Sequence, residues 1–258
     1  MGCSRHSCLV SVIVPTLREA ANLPILVSAI DAALFGYDYE ILIIDDASGD
    51  GTIEICQQLA EDYPLMLHTR SMPVGGLSGA VLCGFSLAQG AILAVMDADL
   101  QHPPECLPSL LQPILSGEAD FVLGSRYIRG GRILDDWGVL RRLTSALATI
   151  LAGPLVRGIH DPMSGFFALR REIWEQAQHL DPLGYKIALE LLCKCPIRKI
   201  KEVPITFALR QRGKSKLSLN QQTMFLRHLV KLYLWRHSLS PTAIAALKSA
   251  EACTTSSS

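Results

Sequence analysis

AILAVMDADLQHPPE, residues 91–105, is an apolar run from Ala91 to Met96 that ends in two acids, Asp97 and Asp99, followed by Gln101, His102 and a pair of prolines. A short apolar run bounded by turn residues reads as a buried strand. A buried strand that ends in carboxylates holds them on a rigid post. The same construction occurs upstream in YEILIID, residues 39–45, whose end delivers Asp45 and Asp46.

Working outward, VSVIVP at residues 10–15 is a β-branched run and reads as a strand, and Asn22 to Phe35 has helical spacing. After the strand Tyr39–Asp45 come a helix over Gly51–Asp62 and a strand over Leu65–Thr69. Then follow a glycine-led helix over Leu77–Ala88, the strand Ala91–Met96, a helix over Pro104–Leu115 and a strand over Ala119–Leu123. This alternation predicts an α/β fold with a mostly parallel sheet covered by helices on both faces. Ligands of such sheets collect beyond the carboxyl ends of the strands, where both acidic pairs lie.

The rhythm changes after residue 130. Gly130–Asp136 reads as a loop and Trp137–Val156 as an amphipathic segment, basic at its start. Strands are expected over Gly165–Leu169 and Lys199–Val203, and helices over Gly184–Cys193 and Asn220–Trp235. The polar stretch Ala252–Ser258 reads as a disordered tail. No internal repeat is visible.

The chain has 258 residues, 49% hydrophobic, enough for one substantial core. Its formal net charge is zero, so no global field favours nucleic acid. The charge is uneven, however: from Lys194 to Arg236 there are eleven Lys and Arg and one acid, Glu202. A basic C-terminal third suits anionic ligands or an anionic membrane face. None of the eight cysteines forms a CxxC pair, which predicts a reducing compartment without a disulfide framework. The first fifteen residues lack the order of a signal peptide, and position 6 is His where a myristoylation signal has Ser or Thr. No stretch reaches the length of a spanning helix.

Two carboxylates one residue apart at a strand end suit a hard divalent cation, Mg²⁺ or Mn²⁺, which keeps waters and substrate phosphates in its shell. Gln101 adds an amide oxygen at the same spacing. The bland alternative, turn-forming loop acids, accounts for most of Ser48, Asp50 and Thr52. Asp45 and Asp46 are placed to accept hydrogen bonds from a nucleobase or ribose. Phosphate-binding candidates are Arg126 in GSRY, Arg141 with Arg142, and the four cations of Arg210-Gln-Arg-Gly-Lys-Ser-Lys216. There is no GxSxG, no P-loop and no convincing GxGxxG. His102 reads as a loop residue rather than a general base, and His160 leads into a turn-rich stretch, Asp161 to Gly165.

In order, VSVIVPTLREAANL, ILIIDDASGDGT, VMDADLQHPPE, FVLGSRY, DPMSGFFAL and EVPITFALRQRGKSKL resemble the family 2 glycosyltransferases of GT-A fold. Within them the likeness is to the dolichol-phosphate mannose synthase, or polyprenol-phosphate mannosyltransferase, group. It covers roughly residues 9–220. The resemblance implies a Rossmann-like GT-A catalytic domain over residues 9–217, an amphipathic membrane-associating helix over 218–237 and a tail over 238–258. It implies inverting transfer of mannose from GDP-mannose to a dolichyl or polyprenyl phosphate with a divalent metal, by a peripheral enzyme at the cytoplasmic face of a membrane, served by a membrane-anchoring partner.

By the same likeness Pro15, Leu17, Glu19, Ile44 and Asp46 line the nucleotide pocket, although Leu17 stands where a tyrosine is common. Asp97, Ala98, Asp99 and Gln101 match the metal and diphosphate site, and Asp97, Asp99 and Arg126 are the expected catalytic residues. Arg126 matches a phosphate-binding arginine, and Arg141 and Ser145 fall where the acceptor phosphate is held. Lys186 and, from a loop that closes over the donor, Arg210 and Lys216 complete the donor set. Arg212 and Lys214 depart from the aromatic and acidic residues usual between them. The shared motifs leave UDP-glucose open as the donor. A soluble polysaccharide or protein glycosyltransferase and an inactive nucleotide-sugar-binding subunit are the other readings.

Overall fold

The structure of the protein, a computed structural model, describes residues 9–134, 147–181, 183–209 and 219–238. Arg141, Ser145, Arg210, Arg212, Lys214 and Lys216, the first eight residues and the tail from 239 lie outside the described residues.

The first half alternates as its periodicity predicts. Strand β1 (Val10–Thr16) is followed by a 3₁₀ turn (Ala20–Asn22) and α1 (Leu23–Ala33), then β2 (Tyr39–Asp45), α2 (Thr52–Leu59) and β3 (Leu65–Thr69). Next come α3 (Gly76–Leu87), β4 (Ile92–Val95), a 3₁₀ turn (Pro104–Cys106), α4 (Leu107–Leu115) and β5 (Phe121–Ser125). Prolines at the head of α1 and α4 have no N–H to lose there, so they start these helices at no cost.

Beyond β5 lie β6 (Arg132–Ile133), a helical stretch at 147–152 (α5), β7 (Phe167–Arg170) and α6 (Arg171–Glu175). The chain continues with α7 (Ile187–Lys194), β8 (Ile200–Pro204), β9 (Thr206–Phe207) and α8 (Leu219–Ser238). The main sheet has the order β3-β2-β1-β4-β7-β5-β8, and β6 pairs with β9 in a small second sheet. All pairings are parallel except those of β7, which runs antiparallel between β4 and β5.

Alternate side chains of the buried strands face opposite layers. Val10, Val12, Val14, Ile41 and Ile43 pack under α1, α2 and α4, whereas Ile13, Leu42 and Ile44 pack under α3, α6 and α7. Phe167 sits at the centre of the second layer, its ring stacked on Phe121 with centroids 5.2 Å apart. A third cluster joins Ala152, Leu155 and Val156 to Leu189, Cys193 and the inner face of α8 at Phe225, Leu229 and Leu232. Tyr233 and Arg236 of α8 donate hydrogen bonds to the carbonyls of Leu151 and Leu155, both at 2.8 Å. No described helix is long and apolar enough to cross a membrane.

The antiparallel strand positions the site. Parallel strands bring their loops to one edge only at their carboxyl ends, but an antiparallel strand brings its leading loop there. Residues 161–166, which enter β7, therefore arrive beside the ends of β4 and β5.

Candidate active site

The crevice lies beyond the ends of β1, β2, β4 and β5. Asp97 follows β4 with its side chain 32% exposed, while Asp99 is 7% exposed. The loop that carries them is built tightly. Leu100 takes a left-handed φ of +62°, and Asp99 Oδ1 accepts the Gln101 N–H at 3.1 Å. Gln101 is fixed to the strand that leads out of β9: its Nε2 donates to the Ala208 carbonyl at 3.1 Å, and its own carbonyl accepts the Ala208 N–H at 2.9 Å.

His102 lies in the loop, as its position suggests, but it is buried there. It is 3% exposed, stacked on Phe166 and edge-on to Phe207, and its Nδ1 accepts the Asp97 N–H at 3.1 Å. An Nδ1 that accepts leaves the proton on Nε2, so the ring is neutral. Burial pushes its pKa down to about 4; Asp99 and Asp161 oppose this, and Arg126 and Lys186 reinforce it. His102 thus shapes the turn that presents Asp97. Gly165 lies against the same carboxylate: a Cβ there would sit 3.2 Å from Asp97 Oδ2 and from His102 Cε1.

Arg126 follows β5 and is clamped by Asp161, which is fully buried. Its Nε and Nη2 donate to Oδ2 and Oδ1 at 2.7 Å each, and its backbone N–H reaches Oδ2 at 3.0 Å. The guanidinium lies 5.3 Å from the ring centroids of Tyr127 and Phe207. Burial works against its charge, but the Asp161 pair prevails and raises its pKa above the ordinary arginine value. Lys186 stands close by, its Nζ donating to the Met163 carbonyl at 2.7 Å and lying 4.8 Å from the Tyr185 ring centroid.

The β1 and β2 loops form the other wall. Asp45 is consumed locally: it accepts the N–H and hydroxyl of Ser48, whose oxygen accepts the Arg18 N–H at 2.8 Å. Asp50 accepts from Ala20 N–H at 3.1 Å and from the Thr52 hydroxyl at 2.6 Å. These residues staple one loop to the other, as their turn chemistry predicts. The cap position of α2 is Gly51, and from the residue before it Asp50 Oδ1 accepts the Thr52 N–H at 3.3 Å.

Asp46 is different, because it is half-buried and paired with Arg70. Burial raises its pKa, and Arg70 pulls the other way. Glu19 accepts from Asn22 Nδ2 at 2.8 Å, and Leu17 is exposed at the rim. Pro15 is buried in β1, and the Ile44 side chain belongs to the core under α3.

Of the residues the sequence singles out, the structure gathers Asp97, Ala98, Asp99, Gln101, Arg126 and Lys186 around His102 and the loop before β7. Asp46, Leu17 and Glu19 lie on the neighbouring wall. Sequence reasoning missed Asp161 and Arg70 as partners. The fixed DPMSG stretch pointed to the first, and nothing local pointed to the second. Among the described residues no group of three His, Cys, Asp or Glu surrounds a common point. Two hard-oxygen carboxylates, that of Asp97 partly exposed, fit a divalent cation that takes its remaining ligands from water and phosphate.

Residues 11–177 match the family model described as Glycosyl transferase family 2. Over 229 residues the chain is 46% identical to the dolichol-phosphate mannosyltransferase of Pyrococcus furiosus, covering 88% of this chain and 64% of that protein. It therefore spans less than two thirds of that relative's length. It is 43% identical to the dolichol-phosphate mannosyltransferase of Mycosarcoma maydis, over 92% of this chain and 83% of that one. Its identity to the Saccharomyces cerevisiae protein of the same name is 40%, over 88% and 87%.

Among solved structures, glucosyl-3-phosphoglycerate synthase from Mycobacterium tuberculosis superposes with a TM-score of 0.65 at 20% identity, covering 92% of this chain and 82% of that chain. A second structure of that synthase, in complex with Mn²⁺, UDP and phosphoglyceric acid, gives 0.66 at 20% identity over 92% and 81%. This likeness establishes the fold.

Proposed function

The chain belongs to glycosyl transferase family 2, and we propose that it moves mannose from GDP-mannose to the phosphate of a dolichol or related polyprenol, with inversion. Support comes from the two relatives, 43% and 40% identical over most of both chains, that carry this activity in their names. The observation that carries the reading is the meeting of the Asp97–Asp99 carboxylates with the Asp161-clamped Arg126 at one sheet edge.

The chemistry follows from charge. The acceptor is a phosphate monoester, already a nucleophile near neutral pH, so no strong general base is required. This agrees with a buried His102 held neutral by its surroundings. Donor diphosphate and acceptor phosphate repel each other and must be held in line, which needs cations between them. Asp97 and Asp99, with Gln101 behind them, are read as the holders of Mg²⁺ or Mn²⁺, and Arg126 as the residue that receives the acceptor phosphate. A divalent cation bound there supplies positive charge against the departing GDP. Lys186 adds a fixed charge on the same side, and Arg210, Lys216, Arg141 and Ser145 are assigned by family likeness alone. A divalent ion also accompanies UDP in the structurally similar synthase.

The acceptor's tail places the enzyme at a membrane. On α8 the residues Leu226, Val230 and Leu234 form an exposed stripe at helical spacing, and α5 adds Leu147 and Ile150. Such a face, flanked by Arg227 and Lys231, suits a peripheral seat on an anionic bilayer. We read residues 9–217 as the catalytic domain and α8 as the seat, at a cytoplasmic face and served by an anchoring partner.

Titration calorimetry with GDP and UDP, with and without Mg²⁺, tests the donor. Metal-dependent binding of GDP well above UDP is expected; preference for UDP overturns the mannose reading and favours UDP-glucose.

A further inference from the structure

Glu202 has no part in the reaction as derived above. It stands on the edge strand β8, paired with Leu123 of β5, the strand that leads to Arg126. Its side chain is only 9% exposed. Both carboxylate oxygens serve one turn: Oε1 accepts the Asp161 N–H at 2.9 Å, and Oε2 accepts the His160 N–H at 3.0 Å and lies 2.8 Å from His160 Nδ1. The residue so held, Asp161, spends its own carboxylate on Arg126.

We propose that Glu202 is a positioning residue for the acceptor phosphate, acting through Asp161 to fix the Arg126 guanidinium. The inference rests on the reading of Arg126 as the acceptor-phosphate ligand. An aspartate on an unanchored loop gives an arginine a partner but no fixed place. Here two consecutive backbone N–H groups are tied to a strand of the sheet, so the clamp is registered to the same frame as β5. Arg126 is then held from its own strand and, through the turn, from the next one. A carboxylate suits this task better than an amide, because each of its oxygens accepts. The amide of a glutamine would turn N–H against one of the two donors.

The test uses the full chain with GDP-mannose and a short polyprenyl phosphate in detergent. Acceptor KM and kcat and the GDP Kd are measured for Glu202→Gln, Arg126→Lys and the double variant. Glu202→Gln is expected to lower kcat/KM for the acceptor by about 10- to 100-fold, as small misplacements do, with the GDP Kd unchanged. The double variant is expected to be no worse than Arg126→Lys, since both act through one group.

An unchanged acceptor kcat/KM in Glu202→Gln, losses that multiply in the double variant, or a matching loss of GDP affinity overturns the proposal. If Arg126→Lys itself leaves the acceptor constants unaltered, the assignment of Arg126 fails and takes this role with it. Should Glu202→Gln not fold, Glu202→Asp, which keeps both accepting oxygens but shortens their reach to the His160 and Asp161 N–H groups, supplies the same comparison with the same overturning results.

Discussion

Arg70 Nη2 lies 2.6 Å from Asp46 Oδ1, and Nε lies 2.7 Å from the same oxygen. The guanidinium also donates to the carbonyls of Val74 at 3.0 Å and Gly76 at 2.9 Å. One arginine thus fixes both the carboxylate at the end of β2 and the entry to α3. If Asp46 reads the nucleobase, Arg70→Met weakens GDP binding about tenfold, or about 1.4 kcal/mol, while acceptor KM holds. Calorimetric GDP titration checks it, and unchanged affinity removes Asp46 from the donor site.

The same entry leaves no space at Gly79. A Cβ there would sit 2.1 Å from the Val74 carbonyl oxygen and 2.9 Å from Arg70 Nη1. Gly79→Ala is expected to cost about 1–3 kcal/mol, as overpacking does. Denaturant unfolding measures this, and a wild-type midpoint contradicts the packing.

The outer stripe of α8 carries the membrane seat. Changing Leu226, Val230 and Leu234 together to serine leaves Phe225, Leu229 and Leu232 in place underneath. The variant is expected to lose binding to anionic vesicles in flotation while keeping its thermal midpoint and its GDP affinity. Undiminished flotation refutes this face as the seat.

Below α8, the buried Glu190 accepts from Lys194 Nζ and from the Asp181 N–H, both at 2.7 Å, and its Oε2 lies 3.4 Å from His228 Nε2. Burial raises the Glu190 pKa, but His228 and Lys194 outweigh it and the net shift is downward from 4.5. A depressed carboxylate stabilises the fold fully above its unfolded value and loses this contribution as pH falls through the folded one. Acidification below about 4.5 should therefore loosen α8. Thermal melts of wild type and Glu190→Gln between pH 3 and 7 check the sign. The variant should be less stable near neutrality and lose less stability in acid; parallel curves contradict it.

The parallel half of the fold was legible because its strands are continuous apolar runs and its helices keep a 3.6 spacing. Element ends shifted by a few residues, as for α2, where Gly51 at a φ of +91° starts the helix proper at Thr52. The direction of β7 was not legible, since periodicity carries no sign. FFAL reads identically as a parallel or an antiparallel strand. The acids at Asp97 and Asp99 were visible because they end a core strand. Arg70 was hidden because it lies 24 residues from Asp46, and Glu202 because it lies 41 residues from Asp161. Only the sheet order brings these together. That His102 is buried within its loop was not legible, because the two phenylalanines that pack on it, Phe166 and Phe207, come from distant segments.

The central claim is mannosyl transfer to a lipid phosphate at the Asp97–Asp99 edge. Its most direct test is a transfer assay with purified protein, Mg²⁺ or Mn²⁺ and a short polyprenyl phosphate in detergent. GDP-mannose, UDP-glucose and UDP-N-acetylglucosamine are offered in parallel, with Asp99→Ala and a chelated sample as controls. Mannosyl lipid from GDP-mannose alone, lost in both controls, is the predicted result. Glycosyl lipid formed from a UDP sugar instead, or mannosyl lipid undiminished in Asp99→Ala, would contradict it.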